Sequence, residues 1–120
     1  MIVSIAPREL FEYELEIIKK LIRAAPGEHS ELLADLDNVK VKPINPDGSI
    51  VEFLRPNYTW TRDIETDMWP VEGYFEDLDG ETVHVYLFVD ENNKLFEFEL
   101  LKEDGSIVQE VNVEQMHLLL

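Results

Sequence analysis

Apolar residues recur at every second position in several short runs along the second half of the chain, beginning near Val71. Val83, Val85 and Leu87, for example, alternate with His84 and Tyr86. This period of two is typical of a half-buried β-strand. Short segments rich in Asp, Asn and Gly separate the runs, as hairpin turns do. The pattern predicts strands over 71–77, 82–89, 95–102 and 107–113, and a last half-turn or edge strand within 114–120.

The first third of the chain has helical spacing instead. We predict a helix from Pro7 to Ala25, because proline suits the first helical position and Pro26-Gly27 ends the pattern. Glutamates early in this segment and lysines late in it complement the helix dipole. A short second helix is predicted from Ser30 to Asp37-Asn38, followed by a hairpin over Val39–Arg55.

These elements predict one α+β domain over residues 1–120. The N-terminal helix and the short second helix should pack on one face of an antiparallel meander sheet of about five to six strands. The chain has no cysteine, which fits a reducing compartment. Arg8-Glu9 follow a short apolar start, so no signal peptide is expected. No stretch approaches the ~20 apolar residues of a membrane span, and we expect a cytoplasmic protein.

Acidity is concentrated in the second half of the chain. The net charge is −16, and residues 63–120 hold 16 of the 26 Asp and Glu but only Lys94 and Lys102 among the 10 Lys and Arg. Such a field repels nucleic-acid phosphates and anionic membranes, and it attracts basic proteins. We therefore expect a basic protein partner, no nucleic acid and no membrane. The alternative is that acidity only keeps the protein in solution.

The predicted strands can be aligned by requiring their apolar sides to face the same way. The alignment puts Tyr74 and Glu99 on either side of His84, and Glu97 opposite Tyr86. One side of the sheet, here called the acidic face, then carries Glu72, Tyr74, Glu76, His84, Tyr86, Phe88, Glu97 and Glu99.

The acidic face is predicted to bind the basic partner, because aromatic side chains ringed by one sign of charge suit such a surface. Tyr58 and Trp60, in the irregular segment 55–70, are expected to add contact area. The alternative is that this segment covers the acidic face and that Arg55 and Arg62 neutralise its carboxylates.

No pattern of catalytic residues is identifiable, so we expect neither an enzyme nor a cofactor. His84 flanked by Glu99 lacks a nucleophile and a recognisable pocket, and no two histidines have the spacing of a metal-binding pair. Asp63, Glu65 and Asp67 alternate, so an extended segment would direct all three carboxylates one way. Such a set is the weaker, alternative prediction of a site for a hard cation such as Ca²⁺.

Several motifs resemble a family of small bacterial proteins of unknown function. These motifs are the Asp77-Leu78-Asp79-Gly80 turn, the strand end Val89-Asp90, and Leu95-Phe96-Glu97. The helix of these proteins is similar to Glu14–Ile22. The resemblance implies a helix followed by a β-meander.

The chain departs from this family at two places, where it has Asn45-Pro46-Asp47-Gly48 and Leu100-Leu101 in place of a glycine-rich turn and a tryptophan. Small acidic α+β proteins also resemble, as a class, the bacterial immunity proteins that neutralise basic nuclease toxins.

The sequence therefore predicts one of three functions. The first is a non-catalytic protein-binding domain of the immunity or antitoxin kind. The second is a small-ligand or divalent-metal-binding domain that uses Asp63, Glu65 and Asp67. The third is an accessory domain that oligomerises through the apolar Leu118-Leu119-Leu120.

Overall fold

A computed structural model describes residues 6–61 and 63–120 of the chain. The helices and strands are α1 (Glu12–Ala24), α2 (Ser30–Leu36), β1 (Lys40–Pro43), β2 (Ile50–Leu54), β3 (Thr66–Met68), β4 (Glu72–Glu76), β5 (Thr82–Asp90), β6 (Leu95–Lys102) and β7 (His117–Leu119). The strands form a 7-stranded antiparallel sheet in the order β1-β2-β6-β5-β4-β7, and β3 pairs with β5. The α+β prediction is confirmed, with more strands than expected.

Both helices cover the same side of the sheet. Ile17 and Leu21 of α1 and Leu36 of α2 join the alternating apolar residues of the strands in one buried cluster. Phe53 and Phe98 are fully buried in it, and burying a side chain of this size stabilises the fold by roughly 1.5–3 kcal/mol. This cluster explains why the strands alternate, since only one of their sides faces the helices.

α1 begins later than the sequence predicts. Residues before Glu12 are extended, and the backbone of Arg8 pairs with that of Val41 beside β1. The buried carboxylate of Glu14 accepts hydrogen bonds from the Arg8 guanidinium at 2.7 Å and from the Phe11 backbone at 2.7 Å. The predicted start at Pro7 was wrong because Glu14 caps the helix and holds the preceding segment against β1.

A buried ion pair joins α2 to the sheet. Arg55, directly after β2, donates two hydrogen bonds of 2.8 Å to Asp35 of α2 and one of 2.6 Å to the carbonyl of Leu95. Asp35 also accepts the backbone N–H of Leu95 at 2.9 Å. The pair therefore fixes where β6 begins relative to α2 and to the end of β2.

The register of β5 on β6 differs by two residues from the predicted one. The structure pairs Tyr86 with Glu99 and His84 with Leu101, with a bulge after Phe88. A shift of two residues keeps every side chain on its own face, so alternation does not detect it. The turn decides the register, because the side chain of Asp90 accepts the backbone N–H groups of Asn92 and Lys94.

The preceding hairpin has the predicted register. Tyr74 pairs with His84 and Phe75 with Val83, and the hairpin predicted within 39–55 is confirmed as β1 and β2.

The strand predicted over 107–113 was wrong. This segment contains no strand, although Val108, Val111 and Val113 pack against the core. Its backbone N–H groups at Gln109 and Glu110 donate to the buried carboxylate of Asp77 at 2.8 and 3.0 Å. A side chain thus takes the place of a neighbouring strand as hydrogen-bond acceptor.

Asp77 is stabilised as a charged group by its partners. Burial would raise the pKa of Asp77, but the Lys102 ammonium and the backbone N–H groups of Gln109, Leu78 and Glu110 together lower this pKa well below its usual range. Hydrogen bonds to the carboxylates of Asp77 and Asp79 raise the pKa of Lys102 above its usual value.

The tail forms the predicted edge strand. β7 pairs with β4, with Leu118 opposite Gly73. A Cβ at Gly73 would lie 2.9 Å from the sulfur of Met116, so glycine leaves room for Met116 to pack on the core. No helix in the described parts of the chain is long and apolar enough to cross a membrane.

Replacing Arg55 tests the buried pair. Arg55→Met should lower the free energy of unfolding by about 3–5 kcal/mol, because it leaves the carboxylate of Asp35 buried without its cation. Chemical denaturation measures this loss. Lys94→Met removes a less buried cation nearby and should change it by less than about 0.5 kcal/mol. Adding Asp35→Asn to Arg55→Met should recover part of the loss, and equal losses for Arg55→Met and Lys94→Met would contradict the assignment.

Candidate functional site: the acidic face of the sheet

The structure brings together all the acidic-face residues predicted on the three central strands. They lie on the side of the sheet opposite the helices, because the core-facing neighbours of each are buried. They are Glu72, Tyr74 and Glu76 of β4, His84, Tyr86 and Phe88 of β5, and Glu97 and Glu99 of β6.

Carboxylates crowd one another at the centre of the acidic face. Glu97 pairs directly with Glu52 of the neighbouring strand β2, and both are only partly exposed. Burial raises the pKa of Glu97, and the charges of Glu99 and Glu52 raise it further. Burial likewise raises the pKa of Glu99. The fold therefore holds these carboxylates where their charged forms are disfavoured.

Tyr86 lies between carboxylates from two strands. Glu99 is its partner on β6, and burial and then the charges of Glu72 and Glu99 raise the pKa of its phenol. An aromatic face with carboxylates on either side can attract a cation both through its π electrons and through charge.

The histidines on this side of the sheet are stacked on tyrosines. His84 stacks on Tyr86 with ring centres 6.2 Å apart, and His117 of β7 stacks on Tyr74 at 4.9 Å. The predicted contact of His84 with Glu99 was wrong, since the ring nitrogen of His84 lies 2.9 Å from Glu103. The two-residue difference in register explains the change of partner.

Arg55 does not neutralise the acidic face. It is held by Asp35 and by the carbonyl of Leu95, as described above, with only 6% of its side chain exposed. The other arginine considered for this role, Arg62, lies outside the described residues. Lys42 of the edge strand β1 pairs with Glu52. This cation therefore lies at the margin of the acidic face and not at its centre.

Tyr58 and Trp60 are engaged at the end of the β5–β6 hairpin. The hydroxyl of Tyr58 and the indole N–H of Trp60 both donate to the carboxylate of Asp90. The Trp60 ring also packs edge-on against Phe96 at 4.6 Å. Burial would raise the pKa of Asp90, and these hydrogen bonds help to lower it. These contacts give both side chains a role in holding the 55–61 segment to the sheet.

The three alternating acids of segment 63–67 do not form a metal cluster. Strand β3 includes only Asp67 of the three, while Asp63 lies in a turn and Glu65 precedes the strand. Within residues 6–61 and 63–120, no group of three His, Asp or Glu side chains could hold a metal ion. The segment therefore does not present its three carboxylates together, as the cation hypothesis required.

Comparison with known proteins places the chain in a family. The family DUF6984, described as a domain of unknown function, matches residues 7–112. The chain belongs to this family. The DUF6984 match confirms the expectation of a family of small proteins of unknown function, and it spans both helices and strands β1 to β6. No curated protein and no solved structure matches the chain.

Sequence reasoning missed Glu52 as part of this site. Its alternation with Val51 and Phe53 indicated that it faces away from the core. Only the pairing of β2 with β6 places it beside Glu97, and nothing local in the DUF6984 sequence indicates that pairing.

Replacing Glu97 tests the crowding of carboxylates. Glu97→Gln should raise the free energy of unfolding at neutral pH by about 0.5 kcal/mol, since like charges across strands cost roughly 0.2–1 kcal/mol. The pKa of Glu97 is raised on folding, so the wild type gains stability as pH falls through that pKa. The advantage of the variant should therefore shrink on acidification.

Denaturation curves at neutral and acidic pH measure this difference. Glu91→Gln, in the exposed β5–β6 turn, is the matched control and should show no comparable gain. A loss of stability in Glu97→Gln at neutral pH would contradict the electrostatic description.

Proposed function

We propose that this chain is a non-catalytic protein-binding domain whose acidic face binds a basic partner, in the manner of an immunity or antitoxin protein. One observation carries the proposal: Glu97 and Glu99 are half-buried beside Glu52, in a place that raises the pKa of both. Within the described part of the chain, no salt bridge involves these three glutamates.

A partner cation would relieve the cost of this arrangement. The carboxylates of the acidic face have lost part of their hydration, and a Lys or Arg from a partner would supply opposite charge at the same place. Charges already held in position bind a cation without first being ordered. The crowded carboxylates thus destabilise the free protein, and a basic partner can neutralise their charge.

The aromatic and apolar side chains supply contact area. Tyr74, Tyr86 and Phe88 are half-buried, and Met68 and Leu101 at the margins are 47% and 40% exposed. Aromatic residues and methionine are enriched at the centres of protein interfaces. This mixture favours a protein over a small cation as the ligand of the acidic face.

Because the net charge is −16, the rate of association with a basic partner should fall as salt is added. Long-range attraction speeds the association of oppositely charged proteins and is screened by salt. The same field disfavours nucleic acid and anionic membranes as partners. The cytoplasmic location expected from the lack of cysteine is part of this proposal.

The test begins with a pull-down at low salt, in which partners are eluted by a salt gradient and identified by mass spectrometry. The affinity of the recovered basic protein is then measured by calorimetry with the triple variant Glu52→Gln, Glu97→Gln and Glu99→Gln. We expect at least tenfold weaker binding, a smaller dependence on salt, and a more stable free protein.

A second triple variant separates site from net charge. Glu12→Gln, Glu91→Gln and Glu110→Gln change the total charge equally, at exposed positions on α1, a turn and the C-terminal segment. These changes should leave affinity within about twofold. Equal weakening by both triples, or binding that is unchanged between low and high salt, would overturn the proposal.

A further inference from the structure

A second surface of opposite sign lies where α1 meets the edge strand β7. A groove of about 620 Å³ separates the two elements. Its walls combine three cations, one carboxylate and three apolar side chains: Lys19, Lys20, Arg23, Glu16, Ala24, Met116 and Leu118. In a chain with 10 Lys and Arg against 26 Asp and Glu, three cations around one groove are a marked concentration of positive charge.

The fold uses these cations less than the buried ones: of the three, Lys20 donates a hydrogen bond of 3.3 Å to the carbonyl of Val113. Arg8, Arg55 and Lys102 each form ion pairs with carboxylates inside the protein. Lys19 and Arg23 form no salt bridge within residues 6–61 and 63–120.

β7 ends the sheet on this side. It pairs with β4 and is last in the strand order, so among the described strands none pairs with its other edge. Its three residues are exposed. Leu118 is opposite Gly73, whose neighbours in β4 alternate between faces, so Leu118 lies on the helix side and lines the groove, while His117 and Leu119 lie on the opposite side.

We infer that the open edge of β7 and the adjoining groove bind an extended acidic segment of a partner protein. The segment would add a strand to β7, so that its backbone satisfies the N–H and C=O groups of this edge. Alternate carboxylates would point to the helix side and pair with Lys19, Lys20 and Arg23. The side chains between them would be apolar and lie beside Leu119.

Charge selects this occupant over a second copy of the chain. The groove has three cations against the single carboxylate of Glu16, so two copies joined edge to edge would oppose like-charged grooves. An acidic segment meets the groove with the complementary sign. This surface is independent of the acidic face, and neither proposal rests on the other.

The probe is a synthetic peptide with the sequence Val-Glu-Val-Glu-Val-Glu-Val, capped at both ends, added to the whole protein at low salt. Hydrogen exchange should show new protection of the backbone amides in His117–Leu119. The peptide should bind at least tenfold more weakly to the triple variant Lys19→Gln, Lys20→Gln and Arg23→Gln.

A matched triple, Lys40→Gln, Lys42→Gln and Lys94→Gln, removes the same charge elsewhere and should bind like the wild type. A peptide with lysine in place of glutamate should give no protection of His117–Leu119, although the acidic face can attract it. Absence of binding by the glutamate peptide, equal loss in both triples, or protection of His117–Leu119 that arises instead from a dimer detected by light scattering would each overturn the proposal. Both triples change exposed or half-exposed side chains, and thermal melts confirm that they fold.

Discussion

The pairing of Asp35 with Arg55 is the contact on which the arrangement of helices and sheet depends. It joins α2, the end of β2 and the first residue of β6, because both side chains also bind the backbone of Leu95. Any arrangement that separated the two side chains would leave a buried charge unpaired, which is strongly unfavourable. This requirement fixes the position of β6, and with it the central row of the acidic face.

The acidic residues of this chain divide into two groups by what they bind. Buried carboxylates such as Asp77 and Asp90 accept backbone N–H groups, and those hydrogen bonds lower the pKa of each. They hold a segment or a turn in place. The carboxylates of Glu97 and Glu99 have raised pKa values instead, so their charges are a cost to the folded chain. The first group explains the fold, and the second supports the proposed binding surface.

Two surfaces of opposite charge then lie on different parts of one small sheet. The acidic face occupies the side away from the helices, and the basic groove lies between α1 and the β7 edge. A sheet covered by helices on one side has both a free face and a free edge, and each can carry its own charge pattern. The proposals for the two surfaces require partners of opposite sign, which makes them separable by experiment.

The sequence by itself determined which residues face the core and which face outward, because a period of two assigns each strand residue to one side. It therefore predicted the acidic face on the central strands and the register of Tyr74 on His84. Tertiary structure decided the pairing of Glu99 with Tyr86, since a two-residue shift preserves alternation and only the Asp90 turn and the Leu95 contacts distinguish the registers. It also decided that 107–113 would not be a strand, because the acceptor for its N–H groups is Asp77, a residue some thirty positions away whose approach no local pattern encodes.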